Sequence, residues 1–563
     1  MKRFVKASMV LATLALLLSS CNCYNRMLKK VDRVKATCTP AVLTLKGSNV
    51  TADLKVEFPP KYFDEMAVLK ITPVLVYEGG EIAGTPKFVQ GTKVKDNYTV
   101  IPWKQGGSYT QTVTFPYTPA ARLATLELRI DSKCANKCKK KFKEFVPFAA
   151  IPAAQGVSTV QLLADNMAYL SLMDHNYKRV TTETEQAEIM FQINKANVRD
   201  NQLTTEQLKA FEDFVKEYSN KERATLGNVF ANGYASPDGP VKFNDELSKE
   251  RGTNAKDAVS KKLEGVNAKY DVAAYGEDWE GFKKLVEASD IKDKDLILQV
   301  LAMYSNPVQR DQEIKNMSSV FDILAKEILP QLRRTVMVAN VDIEGLTDAE
   351  LKEAVNSGKL NDLNEQQMLY AATLFTDGAT QIKVYQAAAN KFQSARAYNN
   401  LGVALAKNGQ LAEAKRAFSQ AAGKASDPAI SSNLGAVALA EGNVAEAKRY
   451  LSALNTPDAN ANKGLVALAE GNYTEAVKTL KGYNLAVAEV LNGNLAKASS
   501  ALSGDNSADA DYLKAVIAMR QGDSSSAIAN LKSAFAKDPS LKAQAKTDVE
   551  FAKIFGSTEF LAL

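Results

Sequence analysis

Residues 244–251 combine polar side chains with the spacing of a helix. In the order Asn244-x-x-Leu247-Ser248-x-x-Arg251 the named residues stand three or four apart or side by side. Residues three and four apart lie on one face of a helix. An arginine guanidinium can hold a carboxylate through two parallel hydrogen bonds. The spacing therefore predicts a helix whose polar face could bind a carboxylate through Arg251.

The segment around this helix resembles the core motif of OmpA-like peptidoglycan-binding domains. It reads as a strand, a Gly/Pro turn and a helix over residues 231–263. By this resemblance Arg251 matches the arginine that binds the diaminopimelate of a stem peptide, while Ser236 stands where the family has an aspartate. A serine cannot pair with the ligand's ammonium group, but Asp238 lies two residues further on. Two interpretations stay open: a peptidoglycan site of Ser236, Asp238, Asn244 and Arg251, or a repurposed or purely structural domain.

The resemblance implies an α+β domain over residues 186–343. A strand is expected at 189–193, a helix at 205–218 with a capping box from Thr204 to Gln207, and a closing segment at 332–336. Residues 277–330 form a charged, helical insertion longer than the usual connection of the family. This insertion could cover the ligand face or form a separate docking surface.

Other motifs for catalysis or metal binding are missing from the sequence. No GxxxxGK[ST], HExxH, GxSxG or EF-hand-like pattern occurs, and the chain has a single histidine, His175. A zinc site would lack its usual ligands. We therefore expect no enzymatic activity, no metal and no cofactor.

The first 20 residues have the pattern of an exported signal peptide. Basic residues precede the apolar run 9–18, which is too short to span a bilayer. The junction Leu18-Ser19-Ser20-Cys21 resembles a bacterial lipobox, which implies that Cys21 is acylated and becomes the mature N-terminus. An ordinary signal peptide with a chance cysteine is the alternative.

Four further cysteines are disulfide candidates, because disulfides persist in the compartments that exported proteins reach. These are Cys23, Cys38, Cys134 and Cys138. They allow three pairings that the sequence does not separate. Within a short turn, Cys134 could pair with Cys138 or instead with Cys38.

Residues 36–152 alternate apolar and polar side chains in short runs bounded by Gly, Pro and Asn. Clear examples are 50–58, 69–77, 110–115 and 126–130. This pattern predicts an all-β antiparallel sandwich. The formal net charge of +6 is ordinary for this length, so it gives no reason to expect nucleic acid as a partner.

A repeat occupies residues 365–555. The pattern small-x6-Gly-x4-Ala occurs five times, with its glycines at Gly409, Gly442, Gly471, Gly493 and Gly522. These units resemble tetratricopeptide (TPR) repeats, most clearly where Ala397-Tyr398-Asn399-Asn400-Leu401-Gly402 is followed by Leu411-Ala412-Glu413-Ala414. The resemblance implies an all-α solenoid of paired helices, preceded by a weaker unit with a turn at Gly378.

The concave side of such a solenoid is an extended surface for a peptide or a partner helix. By resemblance to the family, four residues of the best repeat line this groove: Arg396, Asn399, Val403 and Lys407. The groove could bind a protein partner, or the array could act as a scaffold.

The sequence as a whole predicts three modules: a sandwich, an OmpA-like domain and a TPR solenoid. Their combination resembles envelope lipoproteins of the Bacteroidetes lineage, in which acidic residues after the lipidated cysteine mark export to the cell surface. Asn22-Cys23-Tyr24-Asn25-Arg26 contains no acidic residue. The resemblance thus favours the periplasmic face of the outer membrane. The expected role is a scaffold or assembly protein that binds an envelope protein, and the alternative is a tether between outer membrane and peptidoglycan.

Overall fold

The computed structural model describes residues 22–134 and 144–563. The predicted signal peptide 1–20, Cys21 and Cys138 lie outside these residues. The chain forms two compact units: residues up to Asp174 join residues 375–563 in the first unit, and residues 175–374 form the second. No helix in the described ranges is long and apolar enough to cross a membrane.

The first unit begins with a helix, Asn22–Leu28, and two β-sheets. One sheet has the strand order β10-β1-β2-β7, and the other has the order β6-β5-β3-β8-β9 with β4 paired to β3. The strands are β1 Lys35–Lys46, β2 Asn49–Phe58, β3 Ala67–Tyr77, β4 Gly80–Ala83, β5 Lys87–Gln90, β6 Thr99–Val100, β7 Gly107–Pro116, β8 Thr125–Cys134, β9 Val146–Gln155 and β10 Val157–Ser158.

The inner faces of the two sheets share one hydrophobic core. In β2, every second side chain from Val50 to Phe58 is buried, and alternate residues of β8 from Leu126 to Ile130 join the same cluster. An alternating strand buries one face in this way because successive side chains point to opposite sides. The β-rich N-terminal region predicted from the alternation is confirmed.

One disulfide closes this region by joining Cys23 to Cys134. The sequence leaves Cys138 and Cys38 open as partners of Cys134. Both pairings are wrong, because Cys134 is bonded to Cys23. Cys38 is a free, buried thiol whose pKa is raised to about 11 by burial. Its position on β1 points the thiol into the core, whereas the helix Asn22–Leu28 packs beside β8 and brings Cys23 to the end of that strand.

The sandwich is joined to the C-terminal helices within the first unit. The Gln161 side chain donates hydrogen bonds to the carbonyls of Gly47 (3.3 Å) and Ala469 (3.2 Å) and accepts one from the Gly47 amide. Ser158 donates to Glu550 at 2.6 Å, and Tyr473 donates to the Leu45 carbonyl. Residues 155–174, which lie between the predicted sandwich and the predicted OmpA-like domain, are therefore part of the packed first unit.

The second unit is built on a four-stranded sheet with the order β11-β14-β12-β13. Strands β12 and β13 are parallel and are connected by the helix Val241–Lys262, while β14 runs antiparallel to both of its neighbours. The strands are β11 Val180–Met190, β12 Ala224–Ala235, β13 Tyr270–Glu277 and β14 Arg334–Glu344, and the helices outside the insertion are Glu206–Ser219, Val241–Lys262, Asp348–Asn356 and Glu365–Thr373.

Two boundaries in this unit differ from the sequence prediction. The first helix begins after Thr205, whose hydroxyl accepts the Leu208 amide hydrogen bond. The Thr204 hydroxyl donates to the Asn201 carbonyl. The first strand ends at Met190 instead of continuing to Ile193. Asn194 adopts a positive φ of 53°, so the chain turns there into a loop.

The insertion predicted at 277–330 contains four helices with a hydrophobic core of their own. Phe282, Ile297 and Leu324 are buried in that core. The helices are Trp279–Ala288, Lys294–Met303, Pro307–Asn316 and Ser318–Glu327.

The C-terminal part of the first unit is entirely helical, as predicted. Helix Gly378–Phe392 packs on the first clear repeat, and Gly378 is its first residue instead of a turn glycine, with Asp377 as the cap. The α-helices are Gly378–Phe392, Ala395–Lys407, Leu411–Ala422, Pro428–Ala440, Val444–Leu451, Pro457–Ala469, Tyr473–Ala476, Gly482–Leu491, Leu495–Ala501, Ala508–Gln521, Ser524–Lys537, Leu541–Ala545 and Thr558–Leu561.

The repeat residues explain how the helices pair. Gly409 and the four equivalent glycines have φ values from +77° to +84°, a conformation that a glycine adopts without steric cost. At the small positions, a Cβ added to Gly402 would lie 2.6 Å from the Phe418 ring, and one added to Gly435 would lie 2.8 Å from Leu451. These glycines let the paired helices approach each other closely.

Candidate functional site

A row of buried asparagines lines the groove of the solenoid. Asn400, Asn433, Asn462 and Asn484 lie on the first helices of four successive repeats, each nine residues before the turn glycine of its unit. Their exposed fractions are 2%, 0%, 0% and 2%. A buried carboxamide without hydrogen-bond partners is costly, so each of these side chains needs a polar partner.

Residues 165–173 of the same chain supply these partners. Asn433 accepts the Ser171 amide hydrogen bond at 2.8 Å and donates to the Ser171 carbonyl at 2.8 Å. Asn484 makes the same pair of bonds with Asp165, both at 2.8 Å. Each carboxamide therefore pairs with both polar groups of one backbone residue.

The same pairing continues at the other end of the segment. Asn400 accepts from the Met173 amide at 2.8 Å and donates to the Met173 carbonyl at 2.9 Å. Asn462 donates to the Tyr169 carbonyl at 3.2 Å. Residues 169, 171 and 173 alternate along the chain, which is the period of an extended backbone. Residues 166–169 form a turn, so this period covers residues 169–173 alone. The groove thus binds the segment mainly through its main chain.

Two side chains of the bound segment add selectivity. The Tyr169 hydroxyl donates to the Lys481 carbonyl at 3.2 Å and accepts from the Lys481 amide at 3.3 Å. The Ser171 hydroxyl donates to the Asp458 carboxylate at 2.5 Å. These contacts require a hydroxyl at both positions, whereas the asparagine contacts do not depend on side-chain identity.

The groove residues named from the sequence have different positions. Asn399 donates to the Ser171 carbonyl at 3.0 Å and is fully buried, so it contacts the peptide. Val403 is buried at 2% exposure, Arg396 is half-buried, and Lys407 is exposed at the end of its helix.

The asparagine row was missed in the sequence analysis although the sequence contains a signal for it. In four of the five units an asparagine stands two residues before the small residue of the repeat, and in the fifth that position is Leu513. A polar residue recurring on an otherwise apolar helix is a recognisable sign of a hydrogen-bonding role.

In the second unit, Arg251 is buried at 1% exposure. Its guanidinium donates to the carbonyls of Lys195 (3.0 Å), Tyr234 (3.0 Å) and Gln192 (3.2 Å). Burial lowers the pKa of this guanidinium to about 10, and the charge of Arg333 acts in the same direction. Arg251 stays protonated at neutral pH, and three of its five donors are used by the loop after β11 and by β12.

Of the other residues named for the peptidoglycan site, Ser236 and Asp238 lie in the turn after β12, and Asn244 lies in the first turn of the helix Val241–Lys262. Asp238 accepts a hydrogen bond from the Ser236 hydroxyl at 2.6 Å and pairs with Arg333 at 3.3 Å. Asn244 donates to the Ser236 carbonyl at 3.2 Å and to Glu277 at 3.0 Å. Asp238 is therefore paired with Arg333, whereas Arg251 bonds to backbone carbonyls.

The helical insertion touches this cluster. Lys315, on the helix Pro307–Asn316, donates a hydrogen bond to the Asp238 carbonyl at 3.2 Å and another to Asp311 at 2.6 Å. The insertion was expected either to cover the ligand face or to form a separate docking surface. The contact of Lys315 with Asp238 corresponds to the first of these roles.

A cleft of about 2710 Å³ lies between the sandwich and the last helices of the first unit. Its lining includes the apolar side chains Val42, Leu123 and Phe555 and the ion pair of Arg520 with Glu550. None of the predicted site residues lines this cleft. Among the described residues, no group of three or more His, Cys, Asp or Glu side chains is arranged to hold a metal ion.

Comparisons with known proteins identify the repeat. Residues 395–423 match the model of the tetratricopeptide repeat family. The chain therefore carries tetratricopeptide repeats, of which this segment is the recognised member. No curated protein matches the chain.

Solved structures of TPR proteins are among those similar to the chain. A tetratricopeptide repeat protein from Parabacteroides merdae ATCC 43184 is 14% identical, with a TM-score of 0.30, over 36% of this chain and 90% of that protein. A chain of the APC/C hetero-tetramer Cut9–Hcn1 is 17% identical, with a TM-score of 0.30, over 56% of this chain and 71% of that chain. YrrB, described as a TPR protein with an unusual peptide-binding site, is 19% identical, with a TM-score of 0.19, over 34% of this chain and 94% of that protein.

Proposed function

We propose that this protein is an envelope scaffold or assembly protein that binds a protein partner through its TPR solenoid. The observation that carries the proposal is the asparagine row, which holds a polypeptide segment by its backbone at Asp165, Ser171 and Met173. A surface built to bind one extended segment has the chemistry to bind another. We further propose that the protein has no enzymatic activity.

The proposed location is the periplasmic face of the outer membrane, with Cys21 as the lipid anchor. The position of the disulfide supports this proposal, because Cys23 is bonded to Cys134 at the end of β8. An acyl group two residues earlier would hold the sandwich directly beside the membrane. Two or more acyl chains are sufficient for stable anchoring.

Photo-crosslinking in cells tests the proposed function. A photoreactive amino acid at position 407, exposed on the solenoid, should yield an adduct with an envelope protein. Position 261, exposed at the end of the helix Val241–Lys262, is the matched control in the second unit. An adduct at 407 that is missing at 261 supports partner binding by the solenoid. No protein adduct at 407 would contradict it.

A tether to peptidoglycan is the second candidate. The observation that favours it is the grouping of Ser236, Asp238, Asn244 and Arg251 around one turn of the second unit. Co-sedimentation with purified sacculi tests it, with Arg251→Lys and Asp238→Asn as site variants and Lys261→Ala as the control. A tether predicts sedimentation that both site variants reduce. If the wild-type chain stays in the supernatant, this candidate is wrong.

A further inference from the structure

The segment in the groove is flanked on both sides by anchors that do not involve residues 165–173. Val160 is buried at 2% exposure, and Gln161 bonds to both the sandwich and the solenoid. After residue 164, the side chains of Asp165, Ala168 and Leu172 are exposed. Downstream, the Tyr177 hydroxyl donates to the Leu346 carbonyl at 2.5 Å, and its ring stacks on Tyr370. Neither anchor involves residues 165–173, so these residues could leave the groove while both anchors stay packed.

We propose that residues 165–173 are a displaceable occupant, and that the groove receives an extended segment of a partner protein with the pattern Tyr-x-Ser. This inference rests on the proposed function and specifies its ligand. The backbone of the partner segment pairs with the asparagines, its tyrosine hydroxyl bonds to the backbone of residue 481, and its serine bonds to Asp458. A partner strand would thus replace the contacts that residues 169–173 make with the groove.

The resident segment competes because it belongs to the same chain. A segment tethered near its site acts at an effective concentration of the order of millimolar. The apparent affinity for a free peptide is reduced by the fraction of molecules in which the groove is open. Weakening the resident segment must therefore strengthen the binding of an added peptide, and this relation separates a displaceable occupant from a permanent structural strand.

The test uses the full chain and a synthetic peptide with the sequence of residues 163–174, LADNMAYLSLMD. A variant designed to free the groove, the released variant, carries Tyr169→Ala and Ser171→Pro. The first substitution removes the hydroxyl that bonds to Lys481, and the second removes the amide that donates a hydrogen bond to Asn433. Fluorescence anisotropy of the labelled peptide should show binding at least tenfold tighter to the released variant than to the wild-type chain. Adding Asn400→Ala and Asn433→Ala to the released variant should abolish this gain.

A measurement on the wild-type chain does not depend on the folding of any variant. The same peptide, made with heavy leucine so that its mass differs, is added at about 1 mM, the order of the tethered concentration. Amide hydrogen exchange of residues 165–173 should then become faster. A peptide N-methylated at the Ser171 and Met173 amides cannot donate to Asn433 and Asn400, and it should leave exchange unchanged.

Three results overturn the inference. The first is unchanged exchange of residues 165–173 with the unmethylated peptide. The second is equal peptide affinity of the wild-type and released chains. The third is dimerisation of the released chain through the same asparagines, because that result assigns the groove to a second copy of the chain. If peptide exchange fails but position 407 still crosslinks to an envelope protein, the inference is wrong and the proposed function stands. If the peptide exchanges but no crosslink forms, the proposed function fails.

Discussion

An asparagine side chain carries the same donor and acceptor as a peptide group. Asn433 and Asn484 each use both atoms on one residue of the segment, at 2.8 Å throughout. Pairs of this kind satisfy two buried polar groups at once, and the net gain of each bond is about 0.5–1.5 kcal/mol. At the residue scale, the groove therefore recognises a polypeptide by its backbone.

Removing one carboxamide should destabilise the first unit. Asn462 donates to the Tyr169 carbonyl and to the Ser432 hydroxyl, so Asn462→Ala leaves buried acceptors without donors. We expect the free energy of unfolding to fall by about 1–3 kcal/mol, as measured by urea unfolding. Asn460→Ala, on the same helix and more exposed, is the control and should change it by less than about 0.5 kcal/mol. Equal effects of the two substitutions would contradict this role for Asn462.

A carboxylate in the last repeats should make stability depend on pH in the acid range. Burial alone would raise the pKa of Asp511, but hydrogen bonds from Lys537, Ser533 and Lys514 outweigh it and lower the pKa to about 2. The pKa of an unfolded aspartate is about 3.9. The stabilisation from ionised Asp511 is therefore complete above about pH 4 and is lost as the pH falls towards 2.

The variant Asp511→Asn tests this dependence. It should lower the free energy of unfolding by about 1–2 kcal/mol at pH 7, a value reduced because Lys514 and Lys537 are partly exposed. The difference from the wild-type protein should shrink between pH 4 and pH 2. Exposed Glu559→Gln serves as the control. A difference that grows with acidification would contradict the assigned pKa.

At the scale of the elements, the glycines decide which helices can pair. Those of the turns have left-handed backbones, and a Cβ added to them would meet open space except at Gly471, where Lys46 lies 3.1 Å away. Those of the small positions face a neighbouring side chain at less than 3 Å from an added Cβ. Both roles were predictable from sequence, because the small-x6-Gly spacing repeats. An asparagine stands two residues before four of the five small positions. Its partner is a segment more than 200 residues away, which no local pattern indicates.

Gly402→Ala should weaken the first clear repeat. The added Cβ would lie 2.6 Å from the Phe418 ring, and overpacking of a core costs about 1–3 kcal/mol. Thermal unfolding of the full chain should show a lower midpoint. Gly423→Ala is the matched control, because its φ is −70° and its nearest neighbour would be 3.4 Å away. A Gly402→Ala midpoint at or above that of Gly423→Ala would show that the helices do not need the small residue.

At the scale of the whole molecule, the chain order and the compact units do not coincide. The sequence predicted three modules in series, whereas the sandwich and the solenoid share one unit and residues 175–374 form the other. Gln161 and Ser158 lie in a short region without periodic hydrophobicity, and their side chains bond to residues of the solenoid and so join it to the sandwich. Such contacts have no sequence signature, so the division into units could not be predicted.

Removing the second unit tests this division. Within that unit the two ends are close, because the Tyr177 and Tyr370 rings stack at 4.9 Å. Replacing residues 175–374 by about eight glycine and serine residues, which span roughly 16 Å, should leave the first unit folded. Circular dichroism should show a cooperative thermal transition. An unfolded or aggregated product would mean that the first unit depends on the second.

Hydrogen exchange of the groove segment tests the central claim most directly. In the wild-type chain the amides of Asp165, Ser171 and Met173 should exchange much more slowly than in the free peptide, because each donates to a buried asparagine. Asn433→Ala should speed exchange at Ser171 at least tenfold, which corresponds to the loss of about 1.4 kcal/mol. Exchange of residues 165–173 at the free-peptide rate in the wild-type chain would show that the solenoid does not hold this segment.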